Sequence, residues 1–107
     1  MWLIINEAFL SIVKHRNKEN TYIVRAREES HITDNFGEEL LSVIPKADYP
    51  YRCNVSQSQL TEFMADYITN RLDYTNFKSS LNTEKFKVVC LSIWRFMYDF
   101  YSGDRPS

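Results

Sequence analysis

Tyr49-Pro50-Tyr51-Arg52-Cys53-Asn54-Val55 runs without a linker into Ser56-Gln57-Ser58-Gln59 and then Leu60-Thr61-Glu62-Phe63-Met64. Within a few positions the apolar period changes from two to about 3.6. Tyr49, Tyr51, Cys53 and Val55 alternate with Arg52 and Asn54, as in a strand with one buried face. Pro50 removes a backbone donor, so the strand is expected at a sheet edge or to start late. Ser56 and Gln59 fit a capping box, each side chain serving the other's backbone N–H. Leu60, Phe63, Met64, Tyr67, Ile68 and Leu72 then follow at helical spacing. A strand that feeds directly into a helix predicts an α+β chain.

Upstream, the two-residue period persists. Trp2 to Ile5 is a short apolar run that Asn6-Glu7 can turn. Ala8, Leu10 and Ile12 share one face of a run to Lys14, with Phe9, Ser11 and Val13 on the other. His15 to Asn20 is polar throughout and reads as a loop. From Thr21 to Arg27, Tyr22, Val24 and Ala26 alternate with Ile23, Arg25 and Arg27. Three runs with short polar joints predict an antiparallel meander. Between Glu28 and Glu39 five charges are acidic and none is basic, and Ile32 and Phe36 stand four apart. This pattern predicts a short helix, stopped by Gly37. Leu40 to Ile44 fits a strand or a packed loop.

Downstream, Asp73-Tyr74-Thr75-Asn76-Phe77-Lys78 interrupts the helical period. Asn82 or Thr83 can cap a longer last helix, and Gly103 and Pro106 close it. Phe86, Val89, Cys90, Ile93, Met97 and Phe100 form its core stripe; Leu91, Trp94, Tyr98 and Tyr101 form a second stripe beside the first. The expected architecture is α+β: an antiparallel sheet of about four strands, one short helix, and two C-terminal helices packed on one face. Leu60, Phe63, Met64, Tyr67 and Ile68 are expected to pack on Phe86, Val89, Cys90, Ile93 and Met97. At 107 residues, 1–107 is read as a single domain.

Composition bounds the function. With 44% hydrophobic and 25% charged residues, and Gly and Pro at only five positions, the chain is globular rather than disordered. A net charge of -1 excludes a whole-molecule basic field for extended nucleic acid. No apolar run reaches the roughly 18–20 residues of a membrane span. The start, Met1 to Glu7, lacks the basic region of a signal peptide. Cys53 and Cys90 lie far apart without a Cys-x-x-Cys motif and read as buried, unpaired thiols. Asn54-Val55-Ser56 is a glycosylation sequon that matters only in a secreted chain. The expected compartment is cytoplasmic.

Two glycines exclude a P-loop and a dinucleotide fingerprint. His15 and His31 stand on polar segments, too far apart for a His-Glu-x-x-His zinc site, and no Gly-x-Ser-x-Gly elbow is present. Spacing leaves a Cys–His nucleophile pair open, but no enzyme, cofactor or metal is expected. The positive signal is cationic. Arg25 and Arg27 project from one face of one strand and Arg52 from another strand, which suits bidentate capture of a phosphate or carboxylate. Lys78 and Asn76, in the interhelical joint, would add a charge and an amide. Tyr51, Tyr74 and Phe77 would supply a stacking surface. The opposing reading is that the strand arginines pair with acids such as Glu28, Glu29 or Glu38.

Five strings stand in register with a known family: Phe9-Leu10-Ser11-Ile12-Val13, Val24-Arg25-Ala26-Arg27, Asp48-Tyr49-Pro50-Tyr51-Arg52, Tyr74-Thr75-Asn76-Phe77-Lys78 and Trp94-Arg95-Phe96-Met97-Tyr98. By these strings the chain resembles, over nearly its whole length, a family of short bacterial and phage proteins that has no assigned activity. Members of that family usually carry arginine where this chain has Pro50, a departure that weakens an anion site on this strand. The resemblance carries no catalytic residue across. Its phage members imply, by analogy, a counter-defence role: sequestering a nucleotide signal or occluding a host complex.

Two functions are therefore expected as alternatives. In the first, a non-enzymatic module binds a small phosphorylated ligand, a nucleotide. Arg25, Arg27, Arg52 and Lys78 would hold phosphate, Asn76 a base or sugar, and Tyr51 or Phe77 would stack. In the second, an interaction inhibitor or accessory protein meets a host protein through the aromatic face of the last helix. Leu91, Trp94 and Tyr98, at i, i+3 and i+7, are expected to bury themselves in a homo-oligomer, most simply a dimer. The competing placement puts Trp94 under the N-terminal hairpin, near Trp2 and Phe9.

Overall fold

The computed structural model describes residues 1–102. The alternating segments become β1 (Trp2–Ile5), β2 (Ala8–Lys14), β3 (Thr21–Ala26), β4 (Ser42–Val43) and β5 (Tyr51–Ser56). They form one antiparallel sheet in the order β1-β2-β3-β5-β4. The fifth strand, beyond the expected four, comes from the ambiguous segment 40–44. That segment divides: a 3-10 turn ends at Leu40, and Ser42 and Val43 pair with the start of β5. β5 begins at Tyr51, so Pro50 delays the strand as its missing donor requires.

Register fixes the two faces of the sheet. Ile5, Ala8, Leu10, Ile12, Val24, Ala26, Cys53 and Val55 all fall on one face, and all are buried. Full burial of side chains such as Leu10 and Val24 stabilises by roughly 1.5–3 kcal/mol each. This face is covered by α1 (Glu29–Phe36), which packs on β2, β3 and β5, and by α2 (Gln57–Asp66), which packs on β3 and β5. The short helix, given no packing partner by the sequence pattern, thus packs on the sheet together with α2. Ile32 anchors it. Gly37 ends it at φ 90°, a conformation strained for any side chain, and its N–H returns to Thr33 O at 3.0 Å.

His31, expected on a polar segment, is buried in α1 instead. Its Nδ1 accepts from Phe9 N–H at 3.3 Å, and its Nε2 lies 3.6 Å from Glu28 Oε2. The polar residues around it in sequence lie on the outer side of α1; one imidazole turned inward ties the helix to β2.

The capping box at the start of α2 is complete. Ser56 Oγ accepts from Gln59 N–H at 3.1 Å, and Gln59 Oε1 accepts from Ser56 N–H at 2.8 Å. Ser56→Ala should cost about 1 kcal/mol in a urea titration. A mutant midpoint equal to the parent's would show that water replaces the cap without loss. After Asp66 the helix widens into a π turn, Tyr67–Arg71. The extra residue in the turn rotates the downstream side chains about the helix axis. Tyr67 turns inward and exchanges two hydrogen bonds with Asn6, while Ile68 and Leu72, expected on the apolar face, are exposed. Arg71 pairs with Glu7 at 3.1 Å and donates to Asn35 at 2.9 Å, so the π turn clamps the β1–β2 hairpin.

The chain divides into two compact units, Met1–Asp73 and Tyr74–Ser107. The division falls in the joint where the helical period breaks. In the second unit a 3-10 turn, Lys78–Ser80, packs on α3 (Glu84–Tyr101). Thr83 caps α3, its Oγ1 accepting from Phe86 N–H at 3.4 Å. Leu81, Phe86 and Cys90 are buried. The expected core stripe does not continue: Ile93 is half-buried, and Val89, Met97 and Phe100 are exposed. Gly103 and Pro106, expected to end this helix, lie outside the described residues. No helix among the described residues is long and apolar enough to cross a membrane.

Candidate anion site on the open sheet face

The face opposite α1 and α2 collects the other half of each alternating pattern. One row crosses four strands: Ser11 stands opposite Arg25, Arg25 opposite Arg52, and Arg52 opposite Ser42. Two arginines therefore stand directly opposite each other on neighbouring strands, on one face of the sheet. Like charges in that relation destabilise a sheet. Arg27 follows two residues after Arg25 and reaches the same place.

Tyr49 organises the three cations. Its buried ring lies 5.0 Å below the Arg25 guanidinium carbon and 4.2 Å below that of Arg27. Its carbonyl accepts from Arg52 Nε–H at 3.2 Å. Alternation placed Tyr49 with Tyr51, on the side away from the arginines. The strand starts only after Pro50, so Tyr49 is free of the pleat and folds under the cationic row. The sequence signal was present in Pro50, but its consequence for Tyr49 was missed.

Among the described residues none of the three arginines makes an ion pair. The expected pairing with Glu28 does not occur; Glu28 faces His31. Asp48, the acid nearest in sequence to Tyr49, accepts the Tyr49 N–H at 2.9 Å. Each guanidinium has five N–H donors. Among the described residues, acceptors take one on Arg25, from Nη2 to Ser11 Oγ at 2.6 Å, one on Arg52, and none on Arg27. Arg25 Nε is buried with no acceptor. Arg71 and Arg95, by contrast, are paired with Glu7 and Asp99. The open face is thus a preformed cationic surface whose hydrogen-bonding capacity the protein leaves largely unused.

Of the remaining expected ligand residues, one lies on the other face of the sheet and three belong to the second unit. Tyr51 opposes Ala26 and Val43 on the other face of the sheet, so it cannot stack beside Arg25. Asn76, Phe77 and Lys78 belong to the second unit. There Asn76 Oδ1 accepts from Ser79 N–H at 3.1 Å, Phe77 and Tyr74 meet at 6.2 Å between ring centroids, and the Lys78 ammonium lies 4.2 Å from the Trp94 ring. Trp94 also stacks on Tyr98 at 5.3 Å. A cleft of about 340 Å³ opens beside α1 and α2, but Glu62 and Asp66 line it and its one cation, Arg71, is already paired. It is a poor host for an anion.

The cysteines are free and buried. Burial pushes the Cys53 thiol from 9.0 up to about 11, and the Cys90 thiol upward as well. Both stay protonated near neutrality and are weak nucleophiles. Because folded Cys53 titrates above the unfolded thiol, its contribution to stability is complete below pH 9.0 and is lost as the pH rises toward about 11. Cys53→Ala should therefore lose less stability than the parent across that window, by on the order of 2 kcal/mol. Urea titrations at both ends of the window check this; equal losses would refute it. Among the described residues no group of three His, Cys, Asp or Glu could hold a metal ion.

A scan against protein-family models, a search of curated proteins and a search of solved structures each return no match, so the functional reading rests on the arginine face itself.

Proposed function

We propose that this chain is a non-enzymatic binding protein for a small phosphorylated ligand, a nucleotide, held on the face of Arg25, Arg27 and Arg52. The observation that carries the reading is the like-charged pair Arg25–Arg52, opposed in register and, among the described residues, without an ion-paired acid. A phosphate set among the three guanidinium groups would accept charge-assisted, bidentate bonds and remove their repulsion in one step. Tyr49 supports the site from below by holding the forks in place; its buried ring is not a stacking surface for a base. The role that fits such a module without catalysis is sequestration of a phosphorylated signal, in line with the resemblance to phage proteins.

Calorimetry against cyclic and linear nucleotides, with inorganic phosphate as a further titrant, tests the proposal. Binding heat is expected from at least one nucleotide, with affinity falling as salt rises. Absence of heat from every titrant at tens of micromolar protein would sink it and favour the host-protein reading through α3.

A further inference from the structure

The arginine site leaves the far end of α3 unexplained. The face of this helix that is buried at Phe86 and Cys90 becomes open toward its C-terminal end. Trp94 is 48% exposed, Met97 50%, Phe100 61% and Tyr101 65%. At about 100° per residue, Ile93, Trp94, Phe100 and Tyr101 all lie within roughly 60° of Met97. No charge of the helix stands among them. Arg95 and Asp99 lie on the other side of the helix and pair with each other at 3.2 Å.

We propose that this surface is covered by a second copy of the chain, its α3 antiparallel to the first and the two-fold axis passing through Met97. The sequence on the seam is symmetric in character about that residue. Trp94 and Phe100 stand three positions to either side, Ile93 and Tyr101 four. Under the two-fold, Met97 meets Met97 of the second copy, Trp94 meets its Phe100, and Ile93 meets its Tyr101. No charged group of α3 is desolvated on the seam, no like charges of the two helices are brought together, and the Lys78 ammonium over the Trp94 ring lies beside it. The overlap from Ile93 to Tyr101 spans roughly 12 Å, the open part of the face, and leaves the buried ends at Phe86 and Cys90 to diverge. Aromatic side chains of this size expose enough surface that each copy would bury roughly 500 Å², about 1,000 Å² in total. That reaches the lower bound for a specific interface. A net charge of -1 opposes the association only weakly. This inference is independent of the anion site.

Light scattering of the whole chain at tens of micromolar tests it. The parent should run at twice 12.8 kDa. Met97→Glu should weaken the dimer by ~100-fold or more while melting as a folded protein. Trp94→Glu should act in the same direction. Val88→Glu, exposed and half a turn away from Met97, should remain a dimer. Oxidation of Met97→Cys should give a covalent dimer, and Val88→Cys should not. A monomeric parent overturns the proposal. So does a dimer that survives both Met97→Glu and Trp94→Glu, or one that dissociates on Val88→Glu instead.

Discussion

Leu10→Ala is expected to lower the unfolding free energy by about 3–5 kcal/mol. Leu10 lies in β2 with no exposed surface, on the face roofed by α1 and α2. The site is rigid on every side. Ala8 and Ile12 flank it on its own strand, and they too are buried. Removing the side-chain carbons costs their transfer free energy, and the cavity adds to it because strands locked in register cannot collapse inward. A chain of this size unfolds with a total of about 5–15 kcal/mol, so the loss is a large share of the whole. The melting temperature should fall by roughly 10–30 °C. Differential scanning calorimetry of parent and mutant decides it. A fall of less than about 5 °C would mean that the core relaxes around the deletion and is softer than the register implies.

The fold was legible where a periodic pattern and a chemical boundary coincide. The Ser56–Gln59 box marks the switch from β5 to α2, and the structure holds both of its hydrogen bonds. Alternation in 8–14 and 21–26 assigned each side chain to its face, because a one-residue slip would turn every core residue outward. The losses have physical causes of two kinds. One is a single-residue change of backbone geometry: the π turn at Tyr67 and the delayed start at Tyr51 both rotate the residues beside them. No hydrophobic pattern encodes an extra residue in a turn. The other is burial along α3. Its apolar stripe is continuous in sequence from Phe86 to Phe100, yet burial stops after Cys90, since a helix pattern states what should be covered and not where the cover ends. The candidate site was legible in part. Arg25, Arg27 and Arg52 could be placed on one face from alternation alone. Tyr49 could not, because its role depends on leaving the strand.

The arginines separate binding from stability in a way that a structural role would not. Arg27→Ala combined with Arg52→Ala should weaken nucleotide binding by about 10²–10⁴-fold, since each hydrogen-bonded charge is worth about 1.5–3 kcal/mol. The same pair of substitutions should change stability by no more than about 1 kcal/mol. Opposing small effects set that limit. The Arg27 stack on Tyr49 and the Arg52 bond to the Tyr49 carbonyl are lost. In return Arg25 is relieved of a like charge directly across the ladder. A structural salt-bridge network would behave in the opposite sense, because removing one partner strands another charge; here no partner acid exists to be stranded among the described residues. Arg25 is left in place in this test, since its bond to buried Ser11 makes it part of the sheet as well as of the site. Calorimetric affinity and the urea midpoint, measured on the same preparations, give the two numbers. Retained affinity with a stability loss above about 3 kcal/mol would assign the arginines to the fold and end the anion-site reading. Lost affinity at parental stability would show cations held in place for a ligand, at a small standing cost to the sheet.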